Sequence, residues 1–185
     1  MADSASERFD ALVTPHLPLL HRVAWRLVRN SPDAHDLVQD TCIAACENLA
    51  TLATVDRPER WLLRVLQNRF INVNKRRRRA PFVPLDEEPG AAQLASTEPG
   101  PEELQQQRDA ERALEHAFLQ LEDTQRTLLA LRAEGYSLTE IATITGVGKE
   151  VLRARLHRAR NRLARHLEQP REAPPRADSL PRSAS

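Results

Sequence analysis

Ser137 to His166, SLTEIATITGVGKEVLRARLHRARNRLARH, carries the strongest architectural signal in the chain. Ser137 and Glu140 form an S-x-x-E capping box, in which each side chain satisfies a backbone donor left unpaired at a helix start. Ile141 and Ile144 give the short helix an apolar stripe, and Ala142 is small where a second helix backbone comes close. Gly146 falls at the turn that must follow, where glycine takes a left-handed conformation without steric cost. A longer helix is predicted from about Lys149, and this order of parts is a helix-turn-helix. At ~100° per residue, Leu152, Leu156, Ala159 and Leu163 share the side that packs on a core. Glu150, Ala154, His157, Arg158, Asn161 and Arg165 share the opposite side. Lys149, Arg153 and Arg160 line one flank, Arg155 and Arg162 the other. Seven Lys/Arg against one Glu between Lys149 and Arg165 is too lopsided for an ordinary solvated face. Such a helix fits the major groove of DNA, with flanking guanidiniums on phosphates and facing side chains at base edges.

Two helices are predicted to complete this module. One runs from Glu102 to Leu121, with Leu104, Ala113, Leu114, Ala117, Leu119 and Leu121 available to pack. The next is capped by Asp123, carries Leu128, Leu129 and Leu131 on its core face, and stops at Gly135. Before them, Ala80 to Pro101 holds five of the thirteen prolines and has no apolar period, so a flexible tether is expected. The tail beyond Glu168, rich in Pro, Arg and Ser, is expected to be disordered.

The N-terminal half reads as helical throughout. Leu20, Val23, Ala24 and Leu27 share one side of a helix from Leu17 to Val28. Ser31-Pro32-Asp33 is a start signal, with serine as N-cap and an acid near the positive helix end. Leu37, Val38, Cys42, Ala45 and Leu49 form the apolar face of the helix that follows, while Asp36, Gln39, Asp40 and Glu47 stay polar. Pro58 opens another helix, in which Trp61, Leu62, Val65 and Leu66 make a buried stripe. Asn68, Asn72 and Asn74 interleave there with Arg64, Arg69 and the unbroken basic run Lys75 to Arg79. Asparagine is a poor mid-helix residue, so three of them point to side chains kept for hydrogen bonding. With Trp61 they form a surface suited to phosphates and unpaired bases. One or two cations suffice to favour a helix C-terminus, and five in a row point to a polyanion.

Composition narrows the functional classes. The formal net charge of +1 excludes a general polycation, yet Asp86, Glu87, Glu88, Glu98, Glu102 and Glu103 cluster just after the basic run. That segregation points to a localised nucleic-acid contact beside an acidic segment. Four Phe, two Trp and one Tyr leave neither module able to build a large core alone. Cys42 and Cys46, at i and i+4 with no CxxC or paired histidines, are expected to be buried as small apolar residues, so no metal is expected. With no phosphate loop or nucleophile–base constellation, neither catalysis nor a cofactor is expected. The N-terminus lacks the apolar run of a signal peptide and no stretch approaches ~20 apolar residues, so a cytoplasmic protein without membrane insertion is expected.

Taken in order, the parts resemble an extracytoplasmic-function (ECF) RNA polymerase sigma factor of the sigma-70 superfamily. DAHDLVQDTCIAACENL (Asp33 to Leu49) is similar to the region-two helix that docks on the clamp helices of the polymerase beta-prime subunit. RPERWLLRVLQNRFINVNKRRRR (Arg57 to Arg79) is similar to the segment that melts and reads the −10 element. Leu121 to Leu163 is similar to region four, whose recognition helix reads the −35 element. The resemblance implies an all-α fold of two small helical domains joined by a flexible linker. It divides the chain into region two at 7–79, an acidic Pro-rich linker at 80–101, region four at 102–168 and a disordered tail at 169–185.

The resemblance also implies roles and partners. Asp36, Leu37, Gln39 and Asp40 would dock on core RNA polymerase. Trp61, Asn68, Asn72, Lys75 and Arg76 would hold the opened −10 strand. Lys149, Glu150, Arg153, His157 and Arg158 would meet the −35 duplex. Core RNA polymerase (beta-prime clamp helices and beta flap), promoter DNA and an anti-sigma factor are the implied partners. Two other readings remain open: a sigma-like protein that sequesters an anti-sigma factor, and a stand-alone helix-turn-helix regulator. The chain departs from the family pattern where Cys42 and Cys46 replace bulky aromatics, His35 an acid and Asn72 an aspartate. Gly148 and Glu150 depart from the usual Ser and Gly, and Glu150 is suited to accept from a cytosine amino group.

Overall fold

The computed structural model describes residues 2–79 and 101–168, and every regular element among them is a helix. Residues 80–100 of the predicted tether (80–101) and the tail (169–185) lie outside the described residues, while Pro101 opens a helix and does not belong to the tether. The N-terminal part comprises α1 (Ala2–Leu12), a 3-10 turn (Thr14–His16), α2 (Leu17–Val28), α3 (Ser31–Glu47), the short α4 (Leu49–Leu52) and α5 (Pro58–Arg79). The C-terminal part comprises α6 (Pro101–Leu119), α7 (Asp123–Ala133), α8 (Leu138–Thr145) and α9 (Lys149–Glu168).

Local start and stop signals operate much as read, with two corrections. At α8 both halves of the capping box form: Glu140 N donates to Ser137 Oγ at 3.2 Å and Ser137 N donates to Glu140 Oε2 at 2.9 Å. Gly146 closes that helix at φ +72°, a value L side chains rarely adopt. The N-cap of α3, however, is Asn30 and not Ser31. Its extended backbone lets Oδ1 accept from Asp33 N at 2.8 Å. At α7 the N-cap is Glu122 and not Asp123, with Glu122 N donating to Gln125 Oε1 at 3.2 Å. The Asp123 carboxylate is turned instead to Asn74, Arg78 and Arg126.

The two parts share one core. A single buried cluster runs from Val13 and Leu20 through Leu62, Leu66 and Phe70 to Leu128, Leu131, Ile141, Ile144 and Leu152. α7 and α8 pack directly on α5, and α7 also on α2. The two helical domains form as expected, and in addition they pack directly on each other. The physical reason is the small apolar inventory: full burial of a leucine stabilises by ~1.5–3 kcal/mol, and joint packing recovers more of it than two separate small cores. Leu114 and Leu119, expected to pack, remain 47% and 39% exposed.

Charged groups tie the same boundary. Glu134, with a side chain only 7% exposed, accepts from Arg22 Nε at 3.0 Å and Arg26 Nε at 3.1 Å. Arg126 donates to Leu27 O at 3.1 Å and to Asp123 Oδ1 at 2.7 Å, with its guanidinium 4.9 Å from the Phe70 ring centre. Arg29, in the left-handed region at φ +60°, lies 4.0 Å over Trp25 and pairs with Glu115 at 3.1 Å.

Candidate nucleic-acid interface

α5 presents three lengthwise faces. Leu62, Leu63, Leu66 and Phe70 root it in the core, each 2% exposed or less. Nearly opposite, ~150° round the helix at ~100° per residue, Trp61, Asn68, Asn72, Lys75 and Arg76 fall on one strip. Trp61 is half-buried against the core, and the other four are exposed. All five residues expected to hold an opened strand are thus brought onto one face, amides and cations beside a single aromatic ring. Such a strip can stack a base and bind backbone phosphates without doing chemistry on either.

The third face meets the C-terminal part. Arg64 donates from Nε to Ile144 O at 2.8 Å and from Nη2 to Thr143 O at 2.9 Å, capping the C-terminal end of α8. Arg60 Nη2 reaches Glu140 Oε1 at 3.1 Å. Asn74 Nδ2 and Arg78 Nη2 reach the two Asp123 oxygens at 2.8 and 2.6 Å. The Glu140 carboxyl is held below the ordinary glutamate range, first by the Ser137 backbone N–H, then by the Ser137 hydroxyl and by Arg60. None of these pairings between distant segments is visible in the sequence.

α9 is rooted on one side by Leu152, Leu156 and Ala159, all buried, with Leu163 half-buried. Lys149, Glu150, Arg153, His157 and Arg158 are all exposed. Two pairs within the helix order this face: Arg153 Nη1 with Glu150 Oε2 at 2.5 Å, and Asn161 Nδ2 with His157 Nε2 at 3.0 Å. The sequence reading passed over Val151, which lies off the core stripe, is 47% exposed and is suited to a thymine methyl.

On α3 the four residues read as a docking surface line one groove between α3 and α5. Asp36 and Gln39 are exposed and Asp40 half-buried, whereas Leu37, only 6% exposed, is confined to the floor. The exposed apolar group on the rim is Ile43, at 48%, which the sequence reading missed. Its signal was an isoleucine one turn beyond Gln39. Arg77 spans the groove to both Asp33 oxygens at 2.9 and 3.1 Å and is the main cause holding that carboxyl below its ordinary value. Cys46 is exposed and Cys42 half-buried, its thiol pushed up by burial, so they are not the matched buried pair expected. Among the described residues no group of three or more His, Cys, Asp and Glu has the arrangement of a metal site.

Comparison with known proteins agrees with this geometry. The family model for sigma-70 region 2 matches residues 12–80, and that for sigma-70 region 4 matches residues 111–163. The chain is 30% identical over 165 residues to the ECF RNA polymerase sigma factor SigE of Mycolicibacterium smegmatis, covering 89% of this chain but only 63% of that relative. It is 30% identical over 161 residues to the ECF RNA polymerase sigma factor SigM of Mycobacterium tuberculosis, covering 86% of this chain and 76% of the relative. Among solved structures it is similar to the sigma factor RpoE in its complex with the anti-sigma factor NepR from Bartonella quintana. The TM-score is 0.64 at 27% identity, over 88% of this chain and 98% of that one. The helix-turn-helix, the basic amide-rich helix and the acidic helix before it therefore stand in a known frame, and the chain belongs to the ECF RNA polymerase sigma factors of the sigma-70 family.

Proposed function

We propose that this sigma factor docks on core RNA polymerase through the α3 groove, holds the opened −10 strand on α5 and reads the −35 duplex with α9. The observation that carries the reading is the separation of three exposed surfaces on three core-rooted helices, in the family's order. Asp36, Gln39 and Asp40, with Ile43 at their edge, supply a polar rim and an apolar contact for a helical partner. Trp61, Asn68, Asn72, Lys75 and Arg76 capture unpaired bases and phosphates of the −10 strand. Lys149 and Arg153 set α9 against the −35 backbone, while Glu150, His157 and Arg158 face base edges. The work divides between region two at 7–79 and region four at 102–168. It proceeds by binding, regulates transcription and belongs in the cytoplasm. No helix among the described residues is long and apolar enough to cross a membrane.

An anti-sigma factor is proposed as the restraining partner. Support comes from the similarity to RpoE captured with NepR, which extends over both parts of the chain. Run-off transcription with purified core polymerase tests the main reading: the chain is expected to fire a mapped promoter. Asp36→Arg with Asp40→Arg is expected to abolish holoenzyme assembly while circular dichroism stays unchanged. Normal assembly by that variant contradicts the docking assignment. Anti-sigma binding without transcription from any promoter favours the sequestering protein instead.

A further inference from the structure

Two histidines lie outside every surface described so far. His21 on α2 and His35 on α3 are far apart in the chain, and their rings meet because those two helices pack on each other. The ring centres are 5.2 Å apart, edge to face, with 60° between the planes. His21 is half-buried and His35 exposed, so the pair stands at the surface.

His35 is held in one tautomer. Its Nδ1 lies 2.9 Å from Ser31 O, and a carbonyl oxygen only accepts, so Nδ1 carries the proton. The lone pair of the neutral ring is therefore on Nε2, across the ring from that anchor. An N–H pinned to a backbone carbonyl is the arrangement that orients a metal-binding imidazole and raises its basicity. Among the described residues His21 has no hydrogen-bond partner, so neither of its nitrogens is committed there.

The spacing matches one ion shared by both rings. A zinc ion bound at ~2.0–2.1 Å lies ~3.2 Å from the centre of each imidazole, and at a tetrahedral angle two such centres are ~5.2 Å apart. Neighbouring charges favour a cation. Arg22 and Arg26, the cations of α2, are drawn to Glu134 of α7, while Asp36 follows His35 on the exposed side of α3. No third His, Cys, Asp or Glu of the described residues completes the set, so the remaining positions fall to water.

We propose that His21 and His35 form a two-imidazole site for a divalent first-row ion of the zinc, nickel or copper kind, clamping α2 to α3 within region two. Imidazole suits these ions, and two protein ligands with water in the other positions make an exchangeable site, unlike the closed four-ligand sites that hold structural zinc. The site is independent of where polymerase and DNA dock.

The untagged full chain is titrated with zinc and followed by isothermal calorimetry and by its thermal unfolding midpoint. One ion per chain is expected, and the midpoint should rise with zinc, because an ion bound only by the folded state stabilises it by mass action. His21→Gln and His35→Gln are each expected to weaken binding by more than the ~10–100-fold that loss of an outer-shell partner costs. His16→Gln, and Cys42→Ser with Cys46→Ser, are expected to bind zinc as the unaltered chain does. Circular dichroism checks that each variant folds. Nickel gives a readout that needs no variant: of the six histidines, His21 and His35 should be the first to lose their ring signals to paramagnetic broadening in nuclear magnetic resonance. No heat and no midpoint shift with zinc in large excess would overturn the proposal and leave an edge-to-face ring contact only. Zinc binding that survives both single substitutions or is lost with the two serine substitutions, or nickel broadening that begins at another histidine, overturns it equally and places the ion elsewhere.

Discussion

α5 and α9 are both long, basic and offered to DNA, yet they are held in opposite ways. α9 is rooted along one stripe by Leu152, Leu156 and Ala159, and its reading-face pairs, Glu150 with Arg153 and His157 with Asn161, stay within the helix. α5 is gripped on two faces: its leucines enter the shared core, and Arg60, Arg64, Asn74 and Arg78 are engaged by region four. A helix that reads closed duplex needs only to be presented. One that must take hold of a strand after the duplex opens has cations whose availability depends on what else they are bound to. On the proposed roles, recognition at α9 would be a property of one helix, whereas binding at α5 would be coupled to the arrangement of the whole chain.

The sharpest way to break the comparison is through the shared core. Leu66→Ala is expected to cost ~2–5 kcal/mol and to lower the stability of both regions together in a single urea transition. Two separate transitions, followed by tryptophan fluorescence and circular dichroism, would show α5 to be as self-contained as α9. Next, Arg126→Ala removes the buried guanidinium joining Asp123, Leu27 O and Phe70. A loss of about 1.5–3 kcal/mol is expected, and it should persist in ~1 M salt, which screens a buried pair much less than an exposed one.

On the α9 side, Arg153→Ala and Arg158→Ala are each expected to weaken −35 duplex binding by about 1–3 kcal/mol, and Lys149→Ala to reduce the salt slope by about 1. Unfolding midpoints should not move, since all three side chains are exposed. A shifted midpoint would mean that α9 is not simply presented. The smallest effects are at α8. Ser137→Ala removes the cap, at about 1 kcal/mol, and should weaken −35 binding without changing single-strand binding. The depressed Glu140 carboxyl contributes stability that is present above the ordinary glutamate value, ~4.3, and is lost as pH falls through its lower folded value. Acid titration below ~4.3 should therefore increase amide hydrogen exchange at the α8 N-terminus, and Glu140→Gln should remove that dependence.

Much of the fold was legible because its signals are local. The Ser137–Glu140 box and the Gly146 turn depend on neighbours within a few residues and form as read, whereas the core stripes form in part: Leu62 and Leu66 of α5 and Leu152, Leu156 and Ala159 of α9 are buried, but Trp61, Val65 and Leu163 are only half-buried, and Leu63 and Phe70 take the remaining core positions of α5. The strips of α5 and α9 were legible for the same reason, since helical spacing fixes which side chains share a face. The misplaced caps are instructive. Asp123 has the chemistry of an N-cap, but its carboxylate answers to Asn74 and Arg78, which lie 49 and 45 residues away. Leu37 looked available on a helix face and went to the groove floor, while Ile43 was left outside.

Composition and periodicity were enough to establish helices and their polar faces, because each follows from interactions spanning a turn or two. They were silent on the closure of region four against α5. That arrangement rests on contacts such as Arg22 with Glu134, 112 residues apart, and on one apolar core assembled from both ends of the chain. Which cation meets which carboxylate is set by packing, and packing exists only once the helices have come together.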